Sequence, residues 1–283
     1  IVVDARTPIE IDRGYPFMRL ENKVALIFGA GQTPGTRIGN GRATSIVFAR
    51  EGATVFAVDR DLESAEETVT AIRDADGNAY SLAADVTSEQ DIEAAIQSCV
   101  ETCGGLDIVH SNVGVSVTGG DAEVSEITVE AFDHIMAINL RSMVLAAKHA
   151  LPIFREQKSG VFINISSTAA HEVYPWVSYK ASKSAAIAFT EQLAIQNADY
   201  GIRANAILPG LMDTPMAVDN RAKAWNMSLE QVTAQRDARV PLGKKMGTAW
   251  DVANAALFLA SDEAKFITGV ALRVDGGAGC RVG

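Results

Sequence analysis

The chain has 283 residues, of which 48% are hydrophobic and 21% are charged, and its formal net charge is −10 at pH 7 with a pI near 4.9. This acidic balance disfavours nucleic acid or an anionic membrane as a partner, and the chain has no apolar run of the roughly 18 residues that a membrane span requires. Three cysteines (Cys99, Cys103 and Cys280) and an N-terminus without an apolar leader favour a reduced protein of the cytoplasm, and four scattered histidines complete no metal-ligand set.

The first predicted elements follow the plan of a dinucleotide-binding site. After an irregular extension at residues 1–20, the apolar run Val24–Phe28 is typical of a buried strand, and residues 29–41, called the glycine loop here, contain five glycines. A helix is predicted over residues 42–50 and a second strand over residues 53–58, ending on Asp59. Glycines let the backbone approach a pyrophosphate at a helix N-terminus, and the acid can hydrogen-bond a ribose hydroxyl.

Strands and helices continue to alternate along the rest of the chain. Further strands are predicted near residues 79–84, 106–110, 161–167, 202–208 and 271–274, with helices near residues 61–75, 88–103, 128–155, 179–195 and 249–260. The fold class predicted is therefore α/β, a single-domain Rossmann-type doubly wound sheet of about seven parallel strands with helices on both faces, over residues 21–283. Residues 212–240, called the lid segment here, leave the sheet and are predicted to close over a substrate.

Tyr179 and Lys183 are four residues apart at the start of a predicted helix, so they lie on the same helix face. A lysine cation near a phenol favours the phenolate and lowers the tyrosine pKa from its ordinary value near 10. The pair could then exchange a proton with a substrate oxygen. The spacing alone is weak evidence, because it occurs by chance on many helices.

Between residues 22 and 278 the chain resembles the short-chain dehydrogenase/reductase family, whose motifs occur here in the family's order. The resemblance assigns catalytic roles to Asn139, Ser167, Tyr179 and Lys183. It assigns cofactor binding to Tyr179 and Lys183 and to Gly29, Gly31, Arg37, Ile38, Gly39, Gly41, Asp59, Arg60, Asp85, Val86, Asn112, Val113, Gly114, Pro209, Gly210, Leu211 and Thr214. No metal is expected.

Two features depart from the family pattern. Nine residues separate Gly29 from Gly39 where the family has three, so six residues within 31–36 are extra. The separation between Ser167 and Tyr179 is one residue shorter than in the family. Counting back from Tyr179 therefore favours Ser166, whereas the position at the strand end favours Ser167, which is the preferred assignment.

The resemblance implies hydride transfer between NAD(H) and a secondary alcohol or ketone. Tyr179 would exchange the hydroxyl proton, and Lys183 would lower its pKa and bind the nicotinamide ribose. Ser167 would hydrogen-bond the substrate oxygen, and Asn139 would hold a water in a proton relay. The family resemblance also implies a homotetramer, which agrees with the 128–155 helix being apolar on nearly all sides.

The choice of cofactor rests on Asp59, whose carboxylate would repel the 2′-phosphate of NADP and so favours NAD, while Arg60 and Arg37 keep NADP possible. The substrate is expected to be hydrophobic or cyclic rather than a sugar or a charged acid. This expectation rests on candidate wall residues that are mostly apolar or aromatic, namely Val115, Val117, His171, Val173, Tyr174, Trp176, Met212 and Met216. The alternative is a non-catalytic NAD-binding sensor or scaffold protein on the same fold.

Overall fold

The computed structural model describes residues 18–280, so most of the predicted N-terminal extension lies outside the described residues. The strands are β1 (Val24–Phe28), β2 (Thr54–Asp59), β3 (Ala79–Ala83), β4 (Ile108–Ser111), β5 (Gly160–Ile165), β6 (Ile202–Pro209), β7 (Met212–Asp213), β8 (Gly247–Thr248) and β9 (Ala271–Val274). The α-helices are α1 (Asn40–Arg50), α2 (Leu62–Arg73), α3 (Glu89–Cys103), α4 (Val129–Met136), α5 (Ser142–Gln157), α6 (Val177–Asn197), α7 (Asp219–Trp225), α8 (Leu229–Asp237) and α9 (Ala249–Ala260).

The central sheet has seven strands in the order β3-β2-β1-β4-β5-β6-β9, and every pairing between them is parallel. All five residues of β1 are buried, as expected for a strand covered on both faces. The order reverses on either side of β1, which lies between β2 and β4. Ligands bind at such a switch point, beyond the carboxyl ends of the strands. The predicted α/β fold class is confirmed.

Two hydrophobic clusters cover the two faces of the sheet. On one face α1 packs against α9 around the buried side chain of Phe48, and on the other α3 packs against α5 around Phe154 and Phe162. The rings of Phe154 and Phe162 lie 5.0 Å apart between centroids, in the tilted arrangement that aromatic pairs favour. Helices therefore cover both faces, as the alternating sequence pattern predicts.

A capping side chain stands at the N-terminus of several helices. Helix α6, which carries Tyr179 and Lys183, is an exception. The predicted cap Ser88 accepts a hydrogen bond from the Asp91 amide at the start of α3, and Asp61 does the same for Ser64 in α2. In α6 the N-cap residue is Trp176, which forms no side-chain cap. The amide donors of its first turn need a partner from elsewhere in the fold.

The segment predicted as one helix over residues 128–155 is instead two α-helices joined by a π-helical turn at Ala137–Arg141. Within one subunit its exposed side chains include Val129, at 71%, and Val144, at 40%. Side-chain periodicity could not reveal this turn, since a π-turn inserts only one residue into the helical repeat. No helix within residues 18–280 is both long and apolar enough to cross a membrane.

Candidate active site

The first and last glycines of the glycine loop pack directly against each other. A Cβ atom on Gly41 would lie 1.8 Å from the Gly29 carbonyl oxygen, so a larger residue there would displace the backbone. Gly29 has a φ of +79°, which favours glycine, and its carbonyl accepts a hydrogen bond from Asn112 Nδ2 at 3.0 Å. The structure therefore brings the predicted residues Gly29, Gly41 and Asn112 together at the ends of β1 and β4.

The middle of the glycine loop is tied to Asp59 at the end of β2. The Gly31 amide donates to Asp59 Oδ2 at 3.0 Å, and the Asp61 amide donates to Oδ1 at 3.1 Å. A carboxylate has about four acceptor sites, so Asp59 keeps capacity for a ribose hydroxyl. Gly39, the N-cap of α1, has no side-chain cap, which leaves an uncapped helix N-terminus beside the loop, a natural position for phosphate.

Most of the remaining predicted cofactor residues lie at or near the same edge of the sheet. Asp85 is exposed and accepts hydrogen bonds from the amide and hydroxyl of Thr87, and Arg60 is exposed. The Gly210 amide donates to Val274, which fixes the end of β6. Ile38 is half-buried and packs against the hydrophobic core. Four other members flank this edge or begin the lid segment: Val86, Pro209, Leu211 and Thr214.

Arg37, which directly follows the extra residues of the glycine loop, binds the lid segment. Its guanidinium contacts Asp213 through Nε, Asp219 through Nη1 at 3.4 Å and the Thr233 hydroxyl through Nη2 at 3.2 Å. Its pKa is raised by hydrogen bonds and charge interactions with the two carboxylates, which outweigh the opposing effect of burial. The Nε, Nη1 and Nη2 atoms of Arg37 thus each bind a group of the lid segment.

Tyr179 and Ser167 lie together at the carboxyl edge of the sheet. Desolvation raises the pKa of Tyr179 to about 12, and the nearby Ser167 hydroxyl opposes this rise. The net shift is upward, opposite to the direction predicted from Lys183 alone. The competing candidate Ser166 is buried and donates to the Lys183 carbonyl at 2.7 Å. Only Ser167 is therefore directed at the phenol.

Lys183 is 2% exposed and forms the floor of the site beneath Tyr179. Its Nζ donates to the Ile165 carbonyl at 2.8 Å and lies 5.7 Å from the centroid of the Tyr179 ring. Burial lowers the pKa of Lys183 to about 8. A Cβ atom on Gly114 would lie 3.1 Å from Nζ and 3.6 Å from Asn139 Oδ1, so only glycine leaves this space open.

Asn139 occupies the π-helical turn between α4 and α5, where its side chain reaches across to the loop after β4. Oδ1 accepts from the Val115 amide at 2.8 Å, and Nδ2 donates to the Val115 carbonyl at 2.9 Å and to the Ser182 hydroxyl at 3.0 Å. π-turns are frequent at functional sites because they re-aim a helical side chain. The structure thus brings Asn139, Gly114, Lys183, Tyr179 and Ser167 into one site.

Asp121 is a site residue that sequence reasoning missed. It is buried, and its carboxylate accepts from the Ser178 amide at 2.9 Å and the Tyr179 amide at 3.0 Å. It therefore caps α6 from a loop 57 residues earlier in the chain, in place of the Trp176 side chain. The Ser116 hydroxyl donates to the same carboxylate at 3.3 Å. No signal in the sequence indicated it, because Ser178, just before the predicted start of the helix at residue 179, is itself a favoured capping residue type.

Among the candidate wall residues, the aromatic ones gather around Tyr179. Tyr174 lies 5.3 Å from Tyr179 and 5.3 Å from Trp176 between ring centroids. His171 and Val173 are exposed, and Met212 is buried in the core. Within residues 18–280, no group of three histidine, cysteine or acidic residues could hold a metal ion.

Comparisons with known proteins agree with the class that this fold and site define, an oxidoreductase of CH–OH groups. A family model described as enoyl-(acyl carrier protein) reductase matches residues 36–279. The chain is 35% identical to 2-(R)-hydroxypropyl-CoM dehydrogenase of Xanthobacter autotrophicus, over 90% of this chain and 98% of that protein.

Two solved structures extend the comparison. A short-chain dehydrogenase/reductase from Burkholderia xenovorans has a TM-score of 0.86 and 39% identity, over 94% of this chain and 99% of that one. A 7α-hydroxysteroid dehydrogenase complexed with NADH and 7-oxoglycochenodeoxycholic acid has a TM-score of 0.81 and 30% identity, over 92% and 95% of the two chains. The chain belongs to the short-chain dehydrogenase/reductase family.

Proposed function

We propose that this protein transfers a hydride between NAD(H) and a secondary alcohol or ketone with a hydrophobic or cyclic body. The observation that supports the proposal best is the convergence of Ser167, Tyr179, Lys183 and Asn139 around the space left open by Gly114. A nicotinamide cofactor, when bound, supplies or accepts the hydride. The glycine loop, the N-terminus of α1 and the Asp59 carboxylate suit its pyrophosphate and ribose.

In this proposal Tyr179 is the proton donor to a ketone. A phenol with a pKa of about 12 is protonated at pH 7, so reduction requires no prior ionisation of Tyr179. Ser167 donates to the same substrate oxygen and stabilises the charge that develops on it. Lys183, with a pKa of about 8, can release a proton near neutral pH and so restore the phenol, with Asn139 holding a water between the protein surface and the amine.

The preference for NAD over NADP rests on two features of the cofactor edge. Asp59 presents a carboxylate where the adenosine ribose is expected, and that charge would repel a 2′-phosphate. Arg37, which the sequence left as a candidate phosphate ligand, is engaged by Asp213 and Asp219. Only the exposed Arg60 then remains beside Asp59. The related 7α-hydroxysteroid dehydrogenase, whose solved structure is a complex with NADH, agrees with this choice.

NADH fluorescence with a panel of cyclic and aryl ketones tests this proposal. We expect oxidation of NADH by the wild type, and loss of nearly all turnover in Tyr179→Phe with NADH binding retained. Binding of NADH without turnover of any ketone would instead favour a sensor or scaffold protein. Turnover by Tyr179→Phe within a few-fold of wild type would refute the role of the phenol.

We also propose a homotetramer, and the three free thiols are consistent with a reduced, cytoplasmic setting. The helix pair α4–α5 leaves Val129 and Val144 exposed, and α6 leaves Ile195 exposed, so apolar side chains remain uncovered on neighbouring helices of one subunit. A second copy could bury them. Light scattering at micromolar concentration should give four times the subunit mass, and a monomer would refute the assembly.

A further inference from the structure

Tyr174, in the loop between β5 and α6, packs on the ring of Tyr179. The two ring centroids lie 5.3 Å apart, with 34° between the ring planes. Trp176 lies at the same centroid distance of 5.3 Å from Tyr174, with its ring edge to face. Aromatic rings at these separations are in contact and attract each other. Tyr174 therefore touches the side chain of the proposed proton donor and is itself supported by a second ring.

The Tyr174 hydroxyl begins a chain of hydrogen bonds that leads to Asp121. It lies 3.3 Å from Ser116 Oγ, and the Ser116 hydroxyl donates to Asp121 Oδ2 at 3.3 Å. A serine hydroxyl has a single proton, which Ser116 gives to the carboxylate. Tyr174 is therefore the donor in its bond to Ser116. This bond leaves no Tyr174 proton for a substrate oxygen, so Tyr174 does not duplicate the role of Tyr179.

The contacts of Tyr174 form a closed circuit around Tyr179. Asp121 Oδ2, which accepts from Ser116, also accepts from the Tyr179 amide at 3.0 Å. The backbone of Tyr179 and the ring that packs on its side chain are therefore held by the same carboxylate oxygen. Such a circuit fixes the phenol relative to its own backbone, whereas the cap of α6 alone would leave the side chain free to rotate.

The loop itself gives Tyr174 little support. Both neighbours of Tyr174 in the chain, Val173 and Pro175, are exposed, while Tyr174 is half-buried. Within residues 18–280 the backbone of residues 173–175 forms no backbone–backbone hydrogen bond. The position of the Tyr174 ring therefore depends on its side-chain contacts, namely the two aromatic rings and the hydroxyl of Ser116.

We propose that Tyr174 is a positioning residue, whose ring, anchored through Ser116 to Asp121, holds the Tyr179 phenol in the orientation from which it exchanges a proton with the substrate. This inference rests on the proposed function, in which Tyr179 is the proton donor. It differs from the wall role expected from the sequence. A wall residue acts on substrate binding in a way that depends on substrate size, whereas a positioning residue changes kcat for every ketone alike.

Three variants, Tyr174→Leu, Tyr174→Phe and Ser116→Ala, test the role with cyclohexanone and the larger 2-tetralone. Tyr174→Leu loses both ring and anchor, so kcat should fall about 10- to 100-fold with both ketones, while KM and the affinity for NADH stay within about threefold. Tyr174→Phe keeps the ring and loses one long hydrogen bond, so kcat should fall only about two- to fivefold. Tyr80→Phe, which removes a hydroxyl from an exposed tyrosine of β3, is the matched control.

Ser116→Ala breaks the same hydrogen bond from its other end. Combined with Tyr174→Phe, it should lower kcat by less than the product of the two single losses, because both changes remove one shared interaction. Single losses that multiply would overturn the anchor through Ser116. A loss in Tyr174→Leu that appears in KM and is larger for 2-tetralone than for cyclohexanone would overturn the proposal in favour of a substrate wall.

Crystal structures of the wild type and Tyr174→Leu separate this question from turnover. We expect the Tyr179 hydroxyl to move by about 1 Å or to occupy two positions in the variant. An unmoved phenol would overturn the positioning role whether or not a ketone is reduced, whereas absence of turnover in the wild type would count against the proposed function alone. A thermal melt shows whether each variant is folded at the assay temperature. If Tyr174→Leu does not fold, the comparison of Tyr174→Phe with Ser116→Ala decides the outcome.

Discussion

Replacement of Asp121 by alanine should both destabilise the protein and slow its chemistry. The change removes the carboxylate that accepts hydrogen bonds from the Ser178 and Tyr179 amides and from the Ser116 hydroxyl. Ser178 is fully buried, so its amide would lose its partner without gaining water. An unsatisfied buried donor costs about 1–3 kcal/mol, and loss of a helix cap costs about 0.5–2 kcal/mol. Since these contributions overlap, we expect unfolding to become easier by about 2–4 kcal/mol.

The effect on catalysis should appear in kcat, because the Asp121 carboxylate holds the backbone that carries the phenol, besides the Ser116 hydroxyl. A misplacement of about 1 Å at a reacting group can cost about 100-fold in rate. We expect kcat to fall about 10- to 100-fold while the affinity for NADH stays within about twofold. Asp121→Asn keeps one acceptor but points an amide donor at the other amide, so it should fall between alanine and wild type.

Urea unfolding at pH 7 measures the first effect, and steady-state kinetics with NADH fluorescence titration measures the second. Glu123→Ala is the matched control, since it removes an exposed acid from the same loop. The role of Asp121 as a positioning residue would be refuted if Asp121→Ala behaved like Glu123→Ala in both assays. A loss of stability with unchanged kcat at a temperature where the variant is folded would reduce Asp121 to a structural cap.

Other predictions concern the serine, the cofactor, acid stability and the lid segment. Ser167→Ala should lower kcat/KM about 100-fold and Ser166→Ala only a few-fold, and the reverse ranking in steady-state kinetics would restore Ser166. Asp59→Ala should let NADP bind, and a wild-type preference for NADP in fluorescence titrations would contradict this. His110 is buried with neither ring nitrogen hydrogen-bonded, and burial lowers its pKa to about 3. The folded state therefore favours the neutral ring, and stability is lost as pH falls from about 6.5 towards 3. The free energy of unfolding, measured with urea, should therefore fall by about 2–3 kcal/mol less in His110→Leu than in the wild type between pH 7 and pH 4.5. An equal fall in both proteins would refute this. Hydrogen exchange over residues 212–240 should slow when NADH and a ketone bind, whereas strong and equal protection in both states would favour a rigid segment.

The sequence predicted the sheet because each of its strands carries its own local signal. The sequence of β1 is apolar throughout, and a single residue, Ser88, was enough to predict the cap of α3. The position of Asp121 could not be predicted, because its contact with α6 spans 57 residues and leaves no periodic pattern. The pKa of Tyr179 was predicted in the wrong direction for a similar reason. Helical spacing reveals the partner Lys183, but desolvation depends on the whole fold.

The hydrogen bonds from Arg37, which follows the extra residues of the glycine loop, connect the expected cofactor site to the lid segment. The same guanidinium belongs to the loop expected to meet the cofactor and holds Asp213, Asp219 and Thr233 of the segment expected to meet the substrate. Two ligands that each order one side of such a contact must change each other's affinity by the same factor. A lid segment grafted from a relative whose loop lacks Arg37 would therefore lose these contacts.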